Sequence, residues 1–547
     1  MTRYDTHQVE NQPPPLRDFN AFEADTPLKE ALEREGGAWA MERSHRFGET
    51  IGSAEVIEHA RLANSNPPRL HTHDRFGHRD DRIELHPSWH AMMRLGIESE
   101  MHSLAWSEHP SSHAGRAALY YLFNQGENGV ACPITMTFAV VPALRLEPTV
   151  ANEWLPRVLS SEYDERFIPA EQKRGAIMGM AMTEKQGGSD VRANTTRAVP
   201  LNGGGPGAEY ELTGHKWFCS SPQADAFLTL AQAPEGLSCF LVPRFTPDGE
   251  KNRFFIQRLK DKLGNRSNPS SEIEYDHTWA RMVGAPGRGV PTIINMVHHT
   301  RLDCVLGSAG MMRLALTQAL HHTQHRRAFG KRLIEQPLMK NVLADLCLEL
   351  EGTVALMMRL ARAFDESDTN PQEALLARVL APIAKYWVCK RNTALVYEAL
   401  ECHGGNGYVE ESPLARLFRD APLNSIWEGS GNVICLDVLR GLGRNDNASG
   451  VLLAMLREAS GESPAYDRFV DDLEKSLRSS EDMETRARAL VEGLAVACEA
   501  CLLIQHAPPS VATAFLESRL ERRGGLNFGT LPADTDFKAV IDRAWTS

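Results

Sequence analysis

A lone glutamate in a glycine-rich turn is the residue of this sequence best suited to acid–base chemistry. Glu428 follows Ile426 and Trp427 and precedes a Gly-Ser-Gly-Asn run. Apolar neighbours would desolvate its carboxylate and make it a stronger general base. The same pattern is typical of an acidic residue near the start of a helix, where it interacts favourably with the helix dipole. Taken alone, the motif leaves both interpretations open.

Two earlier segments could hold a cofactor. Residues Met182 to Asp190 include a Gly-Gly turn, whose N–H groups can bind phosphate oxygens, and the hydroxyls of Thr183 and Ser189 add donors. Residues Gly214 to Ser220 carry Trp217 beside small polar residues, which suits an aromatic wall for a cofactor. The alternatives are an ordinary turn and a tryptophan at the edge of a sheet core.

Two later segments have the residue types of a pyrophosphate site. Arg326 opens an Arg-Arg-Ala-Phe-Gly run that lies between two helical patterns, and an arginine there could bind a pyrophosphate with two hydrogen bonds. It could equally stabilise the C-terminal end of a helix. Residues His403 to Tyr408 form a second glycine-rich loop, which could approach a ligand or could simply cap a helix.

Composition restricts the class of protein. The chain has 547 residues with a formal net charge of −12, which argues against a general nucleic-acid binder but leaves room for a local basic patch. Ten scattered cysteines fit a reducing compartment better than a disulfide framework. We find no secretory signal and no apolar run of the roughly 18 residues that a membrane helix needs. The expected location is the cytoplasm, without a membrane partner.

Periodicity predicts a β domain between helical regions. Short apolar runs separated by turn residues predict antiparallel strands from about 175 to 285. Apolar residues then recur at intervals of three and four, which predicts a bundle of long helices. The predicted domains are an N-terminal arm (1–40), an N-terminal helical domain (41–174), an antiparallel β domain (175–288), a helical bundle (289–443) and a C-terminal helical domain (444–547).

The order of the five motifs along the chain indicates a family, whereas no single motif does. The Thr-Glu…Gly-Ser-Asp turn, Lys-x-Trp strand, Arg-x-x-Phe-Gly run, Gly-Gly-Asn-Gly loop and aromatic-Glu-Gly turn together resemble the acyl-CoA dehydrogenase superfamily across residues 170–440. The runs 71–78, 183–196, 259–267 and 424–432 resemble its AidB branch, flavoproteins of the adaptive response to DNA alkylation. The resemblance implies an α+β, mostly α fold: a helical N-terminal domain, an antiparallel β domain, a four-helix bundle and an extra helical C-terminal domain.

The resemblance also implies FAD as the cofactor, held between the β domain and the bundle. In this family one subunit reaches the FAD of another, which implies a homo-oligomer, most simply a homotetramer. The cofactor-binding residues that follow from the resemblance are Met182, Thr183, Gly188, Ser189, Trp217, Phe218, Cys219, Ser220, Arg326, Phe329, Gln336, Gly404, Gly405, Asn406, Gly407, Ile426, Trp427, Gly429, Ser430 and Asn432.

The implied reaction is α,β-dehydrogenation of an acyl-CoA. Glu428 matches the position of the catalytic base, and Arg301 is expected to orient or screen it. This sequence differs from many members of the family at Cys219. Its thiol is a weak hydrogen-bond donor, whereas many relatives carry there a threonine that bonds the flavin. The AidB branch implies an alternative function: a flavoprotein that binds double-stranded DNA and protects it from alkylation, with little or no dehydrogenase turnover.

The C-terminal domain is where that alternative predicts DNA contacts. Arg519, Arg522 and Arg523 are spaced to share one face of a helix, and Arg440 and Arg444 could extend the patch. A solvated basic face is the other interpretation of this spacing. No metal site is expected, because the histidines between 71 and 90 lack the Cys or carboxylate spacing of a closed tetrahedral set.

Overall fold

The computed structural model describes residues 6–443, 446–479 and 481–545. The chain divides into two compact units. The helical unit comprises Met1–Ala54 with Val305–Ser547, and the β unit comprises Glu55–Cys304.

The chain enters the helical unit through an irregular arm. Residues 6–25 contain no helix or strand, and two helices follow, α1 (Thr26–Leu32) and α2 (Met41–Ile51). Asp25 is the N-cap of α1: its carboxylate accepts a hydrogen bond from the backbone N–H of Leu28. Asp25 also pairs with the buried Arg313, so the start of the helix is fixed to the rest of the unit.

The first part of the β unit is mostly helical. Its elements are α3 (Ala54–Ser65), β1 (Arg69–His73), β2 (Arg79–Glu84), α4 (Pro87–Glu98), α5 (Ser112–Phe123), α6 (Ala131–Ala139), α7 (Val141–Leu144) and α8 (Pro148–Val158). The histidine-rich run 71–78 lies in the β1–β2 hairpin, where His71 pairs with Glu84 and His78 with Asp74. Among the described residues, no group of His, Cys, Asp and Glu side chains is arranged to hold a metal ion.

A seven-stranded sheet forms the remainder of this unit. Its strands are β3 (Met178–Ala181), β4 (Arg197–Pro200), β5 (Glu209–Ser220), β6 (Ala226–Ala233), β7 (Gly236–Pro243), β8 (Phe254–Leu259) and β9 (Ser270–Val283). Strands β6, β4, β5, β9 and β7 pair in a closed circuit, with β3 added beside β6 and β8 beside β9. The pairings are antiparallel except where β6 meets β3 and β4, so the sheet is mixed rather than wholly antiparallel.

Long helices dominate the chain beyond the sheet. They are α9 (Gly289–His325), α10 (Pro337–Glu366) and α11 (Pro371–Glu401), and the division between the two units falls within α9. A short hairpin, β10 (Arg327–Ala328) with β11 (Lys331–Arg332), joins α9 to α10. Apolar residues recur at intervals of three and four from Leu302 to Leu316, and this run lies in α9. No described helix is long and apolar enough to cross a membrane.

Seven further α-helices of the described chain follow α11. They are α12 (Pro413–Asp420), α13 (Gly431–Gly443), α14 (Asp446–Arg457), α15 (Pro464–Arg478), α16 (Met483–His506), α17 (Pro509–Phe515) and α18 (Phe537–Ala544). Helix α16 packs against α10, α11 and α13. The predicted fold class, helical domains with one β domain, is confirmed. The finer five-domain division stays a prediction, and its last boundary adjoins Arg444, which lies outside the described residues.

Candidate functional site

The Thr183 turn of the β unit is built around a buried carboxylate. Glu184 is fully buried and accepts hydrogen bonds from Lys216 Nζ (2.9 Å), Thr196 Oγ1 (2.6 Å) and the backbone N–H of Thr195 (2.7 Å). Burial acts to raise the pKa of Glu184, but the charge of Lys216 and these hydrogen bonds outweigh it and hold the pKa well below its usual range. The turn therefore rests on an internal ion pair.

This ion pair brings two predicted cofactor segments together. Lys216 extends from β5, and the next backbone N–H, that of Trp217, donates to the Thr183 carbonyl oxygen at 2.8 Å. A Cβ built on Gly188 would lie 2.3 Å from Thr183 Oγ1, so a larger residue would displace that side chain. Met182, Thr183, Gly188 and Trp217 thus belong to one continuous surface. Glu184 and Lys216 were not predicted from the sequence as site residues, although both lie within the predicted cofactor motifs.

A bulge in β5 decides which side chains face outward. The pairing with β9 shifts between Lys216 and Cys219, so Trp217 and Phe218 are both accessible, and Phe218 is 50% exposed. Lys260 Nζ lies 3.6 Å from the centre of the Trp217 ring. Ser189 and Ser220 are accessible at this surface as well.

Cys219 corrects the sequence-based prediction. Its side chain is fully buried in the sheet core, and burial raises the pKa of the thiol to about 12. The thiol therefore cannot contact a ligand at the surface of the sheet, and only its backbone remains available. The physical reason is the bulge, which turns Cys219 inward and leaves Phe218 outward.

In the helical unit, Glu428 occupies a strained turn. Its φ is +57°, in the left-handed region that non-glycine residues rarely adopt. Lys385 on α11 is almost fully buried, and its ammonium donates to the carbonyl oxygens of Trp427 (2.7 Å) and Gly429. Trp427 Nε1 in turn donates to Asn424 Oδ1 at 2.9 Å. The backbone on both sides of Glu428 is therefore held by hydrogen bonds from a buried lysine, which stabilise its unfavourable conformation.

Ile426 is 60% exposed, and Ser430 and Asn432 are also accessible beside this turn. Lys385 was not singled out from the sequence; the available signal was a lysine within a largely apolar helix.

The Arg326 loop and the Gly404–Gly407 loop lie at the surface of the same unit. Phe329 is 98% exposed with a φ of +52°, and Gln336 donates to the Ala328 carbonyl oxygen at 3.1 Å. Arg326 Nη1 donates to the carbonyl oxygen of Asn11 in the N-terminal arm at 2.6 Å. Gly404, Gly405 and Asn406 are exposed, whereas Gly407 is buried. Both loops thus reach the surface, where the N-terminal arm contacts Arg326 and also Asn406, whose Nδ2 donates to Gln12 Oε1 at 3.5 Å.

Arg301 lies on the β-unit part of α9 and is buried. Its neighbour Thr300 donates its hydroxyl to the Val297 carbonyl oxygen at 3.0 Å.

The predicted basic helix face at 519–523 is wrong. The helical turn after α17 ends at Leu520, and Arg522 has a φ of +55°, so the three arginines do not share a helix face. Arg519 points inward and pairs with Asp345 (2.6 Å) and Glu349 (3.2 Å) of α10, leaving 17% of its side chain exposed. Arg523 pairs with Glu517 and Asp534. The physical reason is that folding brings carboxylates next to Arg519 and Arg523, and these carboxylates bind the positive charges that a DNA phosphate would need. Arg440 and Arg522 are exposed.

Comparison with known proteins identifies the family. Three family models match in order: the adaptive response protein AidB N-terminal domain (residues 11–165), the acyl-CoA dehydrogenase middle domain (179–278) and the acyl-CoA dehydrogenase C-terminal domain (287–443). The chain is 46% identical to AidB of Escherichia coli K12 over 526 residues, which is 96% of each chain.

Solved structures agree with this match. The crystal structure of Caenorhabditis elegans ACDH-11 in complex with C11-CoA aligns with a TM-score of 0.87 and 28% identity, covering 95% of this chain and 94% of that one. An acyl-CoA dehydrogenase of Bacillus anthracis complexed with FAD aligns with a TM-score of 0.62 over 84% of this chain and 79% of that one, and at 15% identity it shows the fold alone. The chain therefore belongs to the acyl-CoA dehydrogenase family, in its AidB branch.

Proposed function

We propose that this protein is an FAD-dependent oxidoreductase that dehydrogenates an acyl-CoA between its α and β carbons. The observation that carries the proposal is the Glu428 turn. A carboxylate stands in a left-handed conformation that Lys385 stabilises through the carbonyl oxygens of its two neighbours. A catalytic base needs such a fixed position, because proton transfer depends on geometry before pKa.

The residues present fit the proposed cofactor. The exposed faces of Trp217 and Phe218 offer apolar surface to a flavin ring, and the backbone N–H of Gly188 and the hydroxyl of Thr183 are placed to donate to phosphates. We propose that these residues, with Met182, Ser189, Ser220 and the backbone of Cys219, bind FAD. Ile426, Trp427, Gly429, Ser430 and Asn432 are proposed as further FAD-binding residues. When bound, FAD supplies the acceptor for the hydride that leaves the β carbon.

The protein's own step is the removal of a proton. Glu428 would take the α-proton of the acyl thioester onto its carboxylate while Lys385 keeps the turn in place. The role of Arg301, to orient or screen this base, stays a prediction. The C11-CoA bound to the C. elegans relative supports an acyl-CoA substrate. The inward Cys219 thiol withholds a hydrogen bond from the flavin, which supports slow rather than fast turnover.

We also propose a homo-oligomer, most simply a homotetramer, in which the Arg326 and Gly404–Gly407 loops bind the FAD of another subunit. The exposure of Phe329 (98%) and Tyr408 (81%) supports this, because large apolar side chains at a surface commonly mark an interface. Arg326→Ala should weaken both FAD retention and assembly. Size-exclusion chromatography with detection of bound flavin measures both, and unchanged values would exclude the shared site.

A second candidate function is binding of double-stranded DNA, which the adaptive-response family model favours. Arg519 is turned inward, so the exposed arginines Arg440, Arg522 and Arg523 are the remaining candidates for contact, and Arg523 would have to exchange its surface carboxylate partners for a phosphate. The ten cysteines are all free and buried, which supports the proposed cytoplasmic location.

The deciding experiment for the main proposal is an absorption spectrum of the purified protein, before and after anaerobic mixing with acyl-CoAs of different chain lengths. We expect a flavin spectrum that acyl-CoA bleaches slowly. A protein that remains colourless after incubation with FAD would refute the proposal. A stable flavin spectrum that no acyl-CoA bleaches would leave DNA binding as the favoured function.

A further inference from the structure

Two cations of the helical unit converge on the first turn of α13. A Cβ built on Gly431 would lie 3.1 Å from Lys390 Nζ and 3.4 Å from Arg488 Nη2. Lys390 extends from α11, and Arg488 from α16. A side chain at position 431 would fill the space between the two cations, so the glycine keeps that space open.

Among the residues that the structure describes, these two cations lack the acidic partners that several other cations of this unit have. Arg359, Arg378 and Arg391 each pair with a carboxylate. Within the described part of the chain, neither Lys390 nor Arg488 forms an ion pair. The groups that face Lys390 include the Tyr386 ring at 5.4 Å and the cations Arg488 and Lys385. Burial and then the charge of Arg488 lower the pKa of Lys390, as expected for adjacent positive charges without a counter-charge.

The backbone adds donors at the same place. Ile434 is the first residue of α13 whose N–H bonds back to a carbonyl oxygen, that of Ser430. The preceding N–H groups at 431–433 are therefore available at the positive end of the helix dipole. Two cations and these N–H groups match the several oxygens of a phosphate better than the two of a carboxylate.

Arg488 also determines what Asn432 can offer. Arg488 Nε donates to Asn432 Oδ1 at 2.8 Å, so the amide oxygen is occupied and the amide nitrogen is left to donate to a ligand. Asn432 is a cofactor residue by the family resemblance, and it stands four residues after Glu428. A ligand held here is therefore bound beside the proposed catalytic turn.

We infer that Lys390 and Arg488, with the first turn of α13, bind a phosphate group of the FAD cofactor. The inference rests on the proposed function and extends it, because Arg488 lies beyond residue 443, where the match to the acyl-CoA dehydrogenase C-terminal domain ends. The C-terminal helices then take part in cofactor binding through α16, in addition to any contact with DNA.

The test compares flavins with and without phosphate. Apoprotein of the wild type, Lys390→Gln, Arg488→Gln and Arg488→Lys is titrated with FAD and with riboflavin, and binding is followed by flavin fluorescence. Each Gln variant should bind FAD about tenfold to a hundredfold more weakly, since each removes a charge-assisted hydrogen bond. Riboflavin affinity should not change, and Arg488→Lys should retain part of the FAD affinity. Arg486→Gln is the matched control: Arg486 lies on the same helix but bonds the carbonyl oxygens of Ser479 and Glu481.

FAD affinities of the Gln variants equal to wild type would overturn the inference and leave the proposed function intact. An equal loss for riboflavin would also overturn it, because the variants would then disturb the site generally. Loss of DNA affinity with unchanged FAD affinity would assign the two cations to a nucleic-acid phosphate instead. A wild-type protein that binds no FAD would refute the proposed function together with this inference.

Discussion

Two turns of this protein each combine a glutamate with a buried lysine, and they use the pair in opposite ways. In the β unit, Lys216 binds the carboxylate of Glu184 and commits it to structure. In the helical unit, Lys385 binds the backbone carbonyl oxygens around Glu428. The first arrangement neutralises the carboxylate, whereas the second stabilises the shape of the turn that presents it. The same two residue types therefore build a structural support in one turn and a candidate catalytic site in the other.

The largest expected effect separates the two glutamates by their chemistry. Glu428→Gln should slow dehydrogenation of an acyl-CoA by about 10²–10⁴-fold, because the amide cannot accept the α-proton. FAD should remain bound, since the side chains are nearly the same size. Stopped-flow reduction of the flavin under anaerobic conditions measures the rate. Reduction at the wild-type rate would show that the base lies elsewhere.

The buried pair of the β unit should show its effect in stability. Lys216→Met leaves the fully buried Glu184 carboxylate without its cation, and should lower the free energy of unfolding by about 3–5 kcal/mol. Urea unfolding followed by circular dichroism measures the change. The double variant Glu184→Gln/Lys216→Met should lose less than the sum of the single losses, because the two side chains are coupled. Additive losses would mean that the pair does not act as a unit.

Acid should remove the stability that the pair of Glu184 and Lys216 provides. Burial opposes ionisation of Glu184, but Lys216 and the hydrogen bonds prevail and lower its folded-state pKa. The stability that it provides is therefore present above the ordinary glutamate pKa of about 4.3 and is lost as the pH falls through the lower folded-state pKa. The difference in unfolding free energy between wild type and Glu184→Gln should be constant from about pH 5 to 7 and shrink below about pH 4. A difference in unfolding free energy that grows as the pH falls would contradict this prediction.

The smallest effects concern the C-terminal arginines. Arg519→Ala should lower the unfolding free energy by about 1.5–3 kcal/mol, because Asp345 and Glu349 lose a charged donor. The exposed Arg522→Ala should change the unfolding free energy by less than about 0.5 kcal/mol.

The same arginines should differ in their effect on DNA affinity. If the protein binds DNA through Arg440 and Arg522, each alanine variant should flatten the log–log dependence of DNA affinity on salt by about 0.9, and Arg519→Ala should not. A flatter slope for Arg519→Ala would restore it as a DNA contact.

Local pattern predicted much of the fold. The recurrence of apolar residues at three and four predicted the helices that the structure shows as α9, α10 and α11. Short apolar runs between turn residues predicted β3 and β5 to β8. These predictions succeed because helix and strand periods depend on residues only a few positions apart. The order of five short motifs was likewise sufficient to identify the family, since each keeps its residue types within one turn or strand.

Tertiary structure alone decided how several of those residues are used. Lys216 bonds Glu184 across 32 positions, and Arg519 bonds Asp345 across 174 positions, so neither partner is visible in a local window. The bulge that buries Cys219 depends on how β5 pairs with β9, and the convergence of Lys390 and Arg488 depends on how α16 packs beside α11 and α13. The sequence by itself determined the elements, the family and the residue types of the candidate site. The role of each charged side chain was decided only by folding, because a charge binds whichever opposite charge or open ligand site the packed chain brings within a few ångströms.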